Sequence, residues 1–219
     1  MQIHSVFGKG LCSNSYILTN SSKEKIIVID LGMKGVNTGF TLQKNLRKII
    51  GKNNPNKIEV ILTHCHLDHI LGSDNLEDYD NIVYSASKET ANHINKRDEV
   101  TLIHLYNATI DYKITNILEA KEKISIAKTF LEVIPTPGHT EGGISLYEPS
   151  SKSLFVGDVV FAGGSPGRVD LPTANRKTLI NTIETLREMS IKRIYPGHGK
   201  IINQNIDTTL QLAIKHLKH

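Results

Sequence analysis

The chain opens with short runs in which β-branched residues crowd together. Ser15-Tyr16-Ile17-Leu18-Thr19 and Ile26-Ile27-Val28-Ile29-Asp30 flank the polar Asn20-Ser21-Ser22, which predicts two strands joined as a hairpin. From Val36 to Ile50 the spacing changes. Phe40, Leu42, Leu46, Ile49 and Ile50 recur at near-helical intervals and Gly51 with Pro55 ends the run, so an amphipathic helix is expected. Lys57 to Thr63 and Asp80 to Ser85 then read as strands, and Ser87 to Lys96 as a polar helix. Between residues 98 and 122, Val100, Leu102, Ile103, Leu105, Ile110, Ile114, Ile117 and Leu118 fit no single period, and the stretch resists assignment. Beyond it, strands are expected near Ile124 to Ile126, Thr129 to Ile134, Ile144 to Tyr147 and Leu154 to Val156. A helix from about Asn175 to Met189, a strand at Ile191 to Tyr195 and a terminal helix near Asp207 to Leu217 complete the order. Strands followed by strand-helix alternation, twice over, predict an α/β fold of two mixed sheets with helices outside.

Composition narrows this picture. A length of 219 residues suits one domain spanning 1–219, and no tract marks a linker. The net charge of +4 comes from scattered lysines such as Lys44, Lys121 and Lys215 rather than a basic block, so the expected surface is solvated and binds no nucleic acid. No apolar stretch approaches the roughly 18 residues of a transmembrane helix and the N-terminus carries no secretory pattern, so no membrane partner and a cytoplasmic location are expected. Cys12 and Cys65 make no disulfide framework, and strand alternation turns Cys65 away from the face of His64 and His66, toward a packing role.

Chemistry concentrates where apolar runs stop. Ile58 to Leu62 leads into Thr63-His64, Phe130 to Ile134 into Pro137-Gly138-His139, Leu154 to Val156 into Gly157-Asp158, and Ile191 to Tyr195 into Pro196-Gly197-His198. Strands laid side by side would bring these ends together, where a scaffold places reactive groups. In Thr63-His64-Cys65-His66-Leu67-Asp68-His69, four nitrogen and oxygen donors fall within one short segment. Imidazole and carboxylate suit zinc, iron or manganese, and the lack of a cysteine cluster argues against a closed structural zinc site. Isolated histidines such as His4, His93, His104, His216 and His219 read as packing or hydrogen-bonding residues.

Taken together these residues resemble the metallo-β-lactamase superfamily. Its HxHxDH motif is matched by residues 64–69, and its later histidine, aspartate and histidine by His139, Asp158 and His198. The resemblance implies an αββα four-layer sandwich and a pair of divalent ions, zinc foremost, with iron or manganese as alternatives. It also implies one metal site of His64, His66 and His139, a second of Asp68, His69 and His198, and Asp158 bridging them. Asp30 reads either as the family's supporting aspartate or as a turn residue. Gly167-Arg168-Val169-Asp170-Leu171-Pro172 resembles the GRxDLP segment of the glyoxalase II-like group. The chain departs from that group at Thr173-Ala174-Asn175 and ends about twenty residues after His198, so the C-terminal helical domain that binds glutathione in full-length glyoxalase II is expected to be absent.

The resemblance implies a metallohydrolase in which Asp68 and Asp158 act with a metal-bound hydroxide on a small-molecule thioester. A thiolate leaves with little acid assistance, because a thiol has a pKa of about 8.5. Arg168 and Tyr106 are candidate substrate-binding residues. Residues 98 to 118, with Tyr106 and Tyr112, read either as core packing or as a cover over the cleft. The rival enzyme is a persulfide dioxygenase with one iron on His64, His139 and Asp158; other ester, lactone or phosphodiester hydrolysis and a non-catalytic module are the remaining readings. A monomer or small homo-oligomer is expected.

Overall fold

The computed structural model describes residues 1–33, 42–50 and 57–219. The first strand, β1 (Gln2–Val6), is polar enough at His4 and Ser5 to have escaped the hydrophobic pattern. It pairs antiparallel with β2 (Ser15–Thr19), and β2 with β3 (Lys25–Ile29), as the hairpin pattern predicts. Helix α1 (Leu42–Ile50) buries Leu42, Leu46, Ile49 and Ile50 along one stripe. The expected helix start at Val36, with Phe40, and its stop at Gly51 and Pro55 lie outside the described residues.

Next come β4 (Lys57–Ile61), the single turn α2 (Leu67–Ile70) and β5 (Ile82–Ala86). Helix α3 (Lys88–Lys96) follows, capped by Ser87, whose hydroxyl accepts from the Thr90 amide; such a cap contributes about 1 kcal/mol. The stretch that resisted assignment contains two 3₁₀ turns, Glu99–Thr101 and Ile103–Tyr106, and then the short β6 (Asn116–Ile117). Turns of three and four residues have no long period for a pattern to show.

The second half holds β7 (Lys123–Ile126), β8 (Thr129–Pro135), β9 (Ile144–Glu148), β10 (Ser153–Gly157), the small hairpin β11 (Val160–Phe161) and β12 (Ser165–Pro166), α4 (Arg176–Arg187), β13 (Arg193–Pro196) and α5 (Ile206–Lys218). Among the described residues the strands form a six-stranded sheet in the order β1-β2-β3-β4-β5-β6 and a five-stranded sheet in the order β13-β10-β9-β8-β7. Both are mixed, since β3, β4, β5 and β6 run parallel and β10 pairs parallel with β13.

The sheets pack face to face. Tyr16, Leu18, Ile27, Ile29 and Ile61 of the first sheet share one buried cluster with Leu131, Val133, Leu146, Phe155 and Tyr195 of the second. The outer face of the first sheet packs on Leu42, Leu46, Ala91 and Ile94 of α1 and α3, and that of the second on Leu179, Ile183, Leu210 and Ala213 of α4 and α5. The result is the αββα sandwich. As central strands, β2, β3, β4 and β10 are buried at nearly every position, whereas the edge strand β7 alternates. No helix among the described residues is long and apolar enough to cross a membrane.

Candidate metal centre

The strand ends that carry the candidate donors do not all lie in one sheet. β4 belongs to the first sheet, whereas β8, β10 and β13 belong to the second, with β9 between β8 and β10. The donors therefore meet at the seam where one end of each sheet faces the other. Backbone bonds stitch that seam: the Ile144 amide donates to the Thr63 carbonyl at 2.9 Å, and the Asn14 amide to the Gly197 carbonyl at 2.6 Å.

All seven residues are brought together there. His64, His66 and His139 form one group, and Asp68, His69, Asp158 and His198 a second, with the donor atoms of each group within 4.8 Å of one another. His198 Nε2 lies 2.9 Å from Asp68 Oδ2, and His69 Nε2 is 3.6 Å from that oxygen. Asp158 stands between the groups, its Oδ1 at 3.3 Å from His69 Nε2 and its Oδ2 at 3.5 Å from His198 Nε2 and 3.8 Å from His139 Nε2. Tetrahedral coordination with bonds of about 2.0–2.1 Å separates donors by roughly 3.3 Å, so these spacings suit a divalent ion.

The orphaned atoms support the same fit. His64 Nε2, His69 Nε2 and Asp158 Oδ1 are buried without a hydrogen-bond partner, an expensive arrangement unless a cation takes their lone pairs, while His66 Nδ1 meets His139 Nε2 at 2.9 Å.

Neighbours aim the rings. Asp30 accepts from the Thr63 amide and the Thr63 hydroxyl, both at 2.8 Å, and from His69 Nδ1 at 2.8 Å. Since the Thr63 hydroxyl gives its hydrogen to Asp30, it accepts from His64 Nδ1 at 3.1 Å. His139 Nδ1 donates to the Arg168 carbonyl at 2.9 Å. Three imidazoles are thus held with Nε2 toward the centre, and Asp30 is a supporting aspartate rather than a plain turn residue.

The two groups differ electrostatically. Burial, reinforced by the neighbouring imidazoles, holds His64 well below the usual histidine range and brings His66 down to about 3. For His69, burial opposes protonation, but the carboxylates of Asp158, Asp30 and Asp68 outweigh it and hold the ring well above its ordinary value. His198 is raised, burial again being outweighed, by its bond to Asp68. Asp158 is driven well below the carboxylate range because the His69 charge overcomes burial. His64 and His66 of the first group offer neutral lone pairs, whereas the second group draws in positive charge, as a proton or as a metal ion.

Several contributors carried no sequence signal of their own. Asn14 donates to the carbonyls of Pro196 and Gly199, each at 3.0 Å, and the Tyr16 hydroxyl to the Pro196 carbonyl at 2.6 Å, clasping the His198 loop. Gly197 has no room for a side chain, because a Cβ there would collide with Asp158 and His69.

Beside the centre opens a cleft of about 400 Å³ lined in part by His66, Asp68, Tyr106, Asp158, Arg168 and His198. Tyr106 is among the lining residues. Tyr112 does not serve as a cover: it is buried, stacks on Tyr84 with ring centroids 4.0 Å apart, and donates to the Ile70 carbonyl. The Arg168 guanidinium is committed to Asp170 through two bonds of 2.9 and 2.7 Å. Cys65 is buried and free, and burial pushes its thiol up to about 12, in keeping with packing.

The description "Metallo-beta-lactamase superfamily" matches residues 9–198. A probable metallo-hydrolase of Methanocaldococcus jannaschii is 37% identical over 203 residues, covering 89% of this chain and 91% of that one. A hydroxyacylglutathione hydrolase of Buchnera aphidicola is 35% identical over 165 residues, 75% of this chain but 54% of that enzyme. The crystal structure of TTHA1623 in a di-iron-bound form shares the fold, with a TM-score of 0.69 at 23% identity over 93% of this chain and 96% of that one. The chain belongs to the metallo-β-lactamase superfamily, as a metallo-hydrolase with two residue groups able to hold divalent metal.

Proposed function

We propose that the protein is a thioester hydrolase with a binuclear centre, similar in reaction to glyoxalase II. The observation that carries this reading is the completeness of the second group, Asp68, His69, Asp158 and His198, beside an intact three-histidine group. His64, His66 and His139 would hold one ion, Asp68, His69 and His198 the other, and Asp158, facing both groups, would contact each. A divalent pair, when bound, brings the pKa of water toward neutrality and polarises a carbonyl.

The chain's own residues do the rest. Asp68 is the more open of the two carboxylates, with a side chain 20% exposed against 11% for Asp158, and it lines the cleft. It orients the attacking water and holds the proton that the water releases. Asp30 and Thr63 keep the rings from turning. No cysteine nucleophile is involved, since Cys12 and Cys65 are both buried outside the donor groups. The likeness to a hydroxyacylglutathione hydrolase supports the choice of a thioester.

The test is elemental analysis of the purified protein, followed by thiol-release and oxygen-uptake assays on the same sample. Two ions per chain with thiol release is the expected result. One iron per chain with oxygen consumption on a persulfide would replace this reading with a dioxygenase on His64, His139 and Asp158.

A further inference from the structure

Next to the donor groups the cleft changes character. Leu11 is 56% exposed, Leu105 is 64% exposed and Tyr106 is 44% exposed, although all three are large side chains. They line the same cleft as Leu102, Phe161 and Leu171 and the donors His66, Asp68 and His198. Phe161 sets its ring edge on to that of His198, centroids 5.8 Å apart. Scattered single apolar residues on a surface need no explanation, but a set sharing one cleft with a reactive centre marks a binding site.

The backbone bears a cost to present these side chains. Leu102 has φ 59° and ψ 9°, a left-handed conformation that a bulky side chain adopts at an expense of about 1–2 kcal/mol. The residue joins the turns Glu99–Thr101 and Ile103–Tyr106, so its conformation aims Leu105 and Tyr106 at the cleft while Val100 and Ile103 enter the core.

Polar recognition in the same cleft is sparse. Apart from the histidines, Arg168 is the one cationic residue among the described residues lining the cleft, and its fork is already matched by the Asp170 carboxylate. Two of its five N–H donors are engaged there, so an anionic handle on a substrate would meet a guanidinium whose charge Asp170 already balances.

We infer that the substrate is a thioester with an apolar acyl chain or aromatic acyl group, held against Leu11, Leu105, Tyr106, Phe161 and Leu171, and that the thiol half contributes little to recognition. The inference rests on the hydrolase reading above. A volume of about 400 Å³ accommodates a medium-length acyl group with its carbonyl at the donor groups. In the reaction, water oxygen bonds to the acyl carbon, the carbon–sulfur bond breaks, one water proton passes through Asp68 to the departing sulfur, and a carboxylic acid and a thiol result.

The test uses the metal-loaded protein with acetyl, butyryl and octanoyl esters of N-acetylcysteamine, a neutral thiol, and the same acyl groups on glutathione. From acetyl to octanoyl, kcat/KM should rise at least about 30-fold, while the two thiols should differ by less than about 3-fold for one acyl group. Leu105→Ser, a change at an exposed side chain, should cut the octanoyl-to-acetyl ratio about 5-fold or more. A flat chain-length series, or glutathione esters preferred by about 10-fold or more, overturns this inference and leaves the hydrolase reading standing.

Calorimetric titration with the inert S-octyl thioether of N-acetylcysteamine separates the two claims. If no thioester is hydrolysed but the thioether binds at one site and Leu105→Ser weakens it, the hydrolase reading fails and the apolar subsite remains. If it neither turns over nor binds, both fail.

Discussion

The three-histidine group and the carboxylate group stand side by side, yet they are opposite in kind. His64, His66 and His139 are buried imidazoles without a carboxylate among them, and burial keeps His64 and His66 neutral. The second group sets two carboxylates, Asp68 and Asp158, against His69 and His198, with Asp30 behind His69. In one group His64 and His66 wait for a cation with uncharged lone pairs; the other group creates a negative field that a cation must enter. The difference teaches that a two-ion centre need not be built from equivalent halves. Ion affinity in the first group rests on geometry, and in the second on charge as well.

The most damaging change to this contrast is Asp158→Asn. It removes the carboxylate that faces both groups, and it should lower bound metal to one ion or fewer and kcat/KM by at least about 100-fold, read by elemental analysis and initial rates. Gly197→Ala leaves every donor in place but drives a methyl group toward Asp158 and His69. A loss on the order of 100-fold in rate is expected, since displacement by about 1 Å suffices for it. An unaffected variant would show that the loop yields freely.

Asp30→Asn sharpens the comparison, because Asp30 supports His69 directly and His64 only through Thr63. Chelator competition should reveal one ion weakened by about 10- to 100-fold and the other held nearly as before. Equal weakening of both would mean that the groups are one unit.

The smallest effect concerns His93, which bridges Asp98 and Glu141 at 2.7 Å each and ties α3 to the loop carrying His139. Burial opposes its protonation, but the bonds to the two carboxylates prevail and raise its pKa. A raised folded pKa contributes stability that is complete below the unfolded value and is lost as pH rises through the folded one. The melting-temperature advantage of the native protein over His93→Gln should therefore be largest near pH 6 and shrink on the alkaline side. An advantage that grew with pH would contradict this assignment.

The HxHxDH segment and the three later donors were legible because each follows a short apolar run, and such runs become strands. The hairpin of β2 and β3, helices α3 to α5 and the two-sheet order were legible for the same reason of strong local period. Asn14, Tyr16 and Thr63 were not, because they act through carbonyls and a carboxylate brought close only by tertiary folding. Strand β1 was hidden by its polar edge position, and the exposure of Tyr106 beside the burial of Tyr112 goes with a left-handed residue, Asn107, between them. That β4 faces β8, β10 and β13 from another sheet was likewise beyond any local pattern.

The clasp of Asn14 on the Gly199 carbonyl joins residues 185 positions apart. Such a closure forms against loop entropy that no local contact offsets. The centre is thus a proofreading point for folding: an ion finds all its donors only in a chain whose beginning and end have already met. The same closure works in the other direction: an ion held at His198 would favour the joined state of the clasp, and its loss would remove that support.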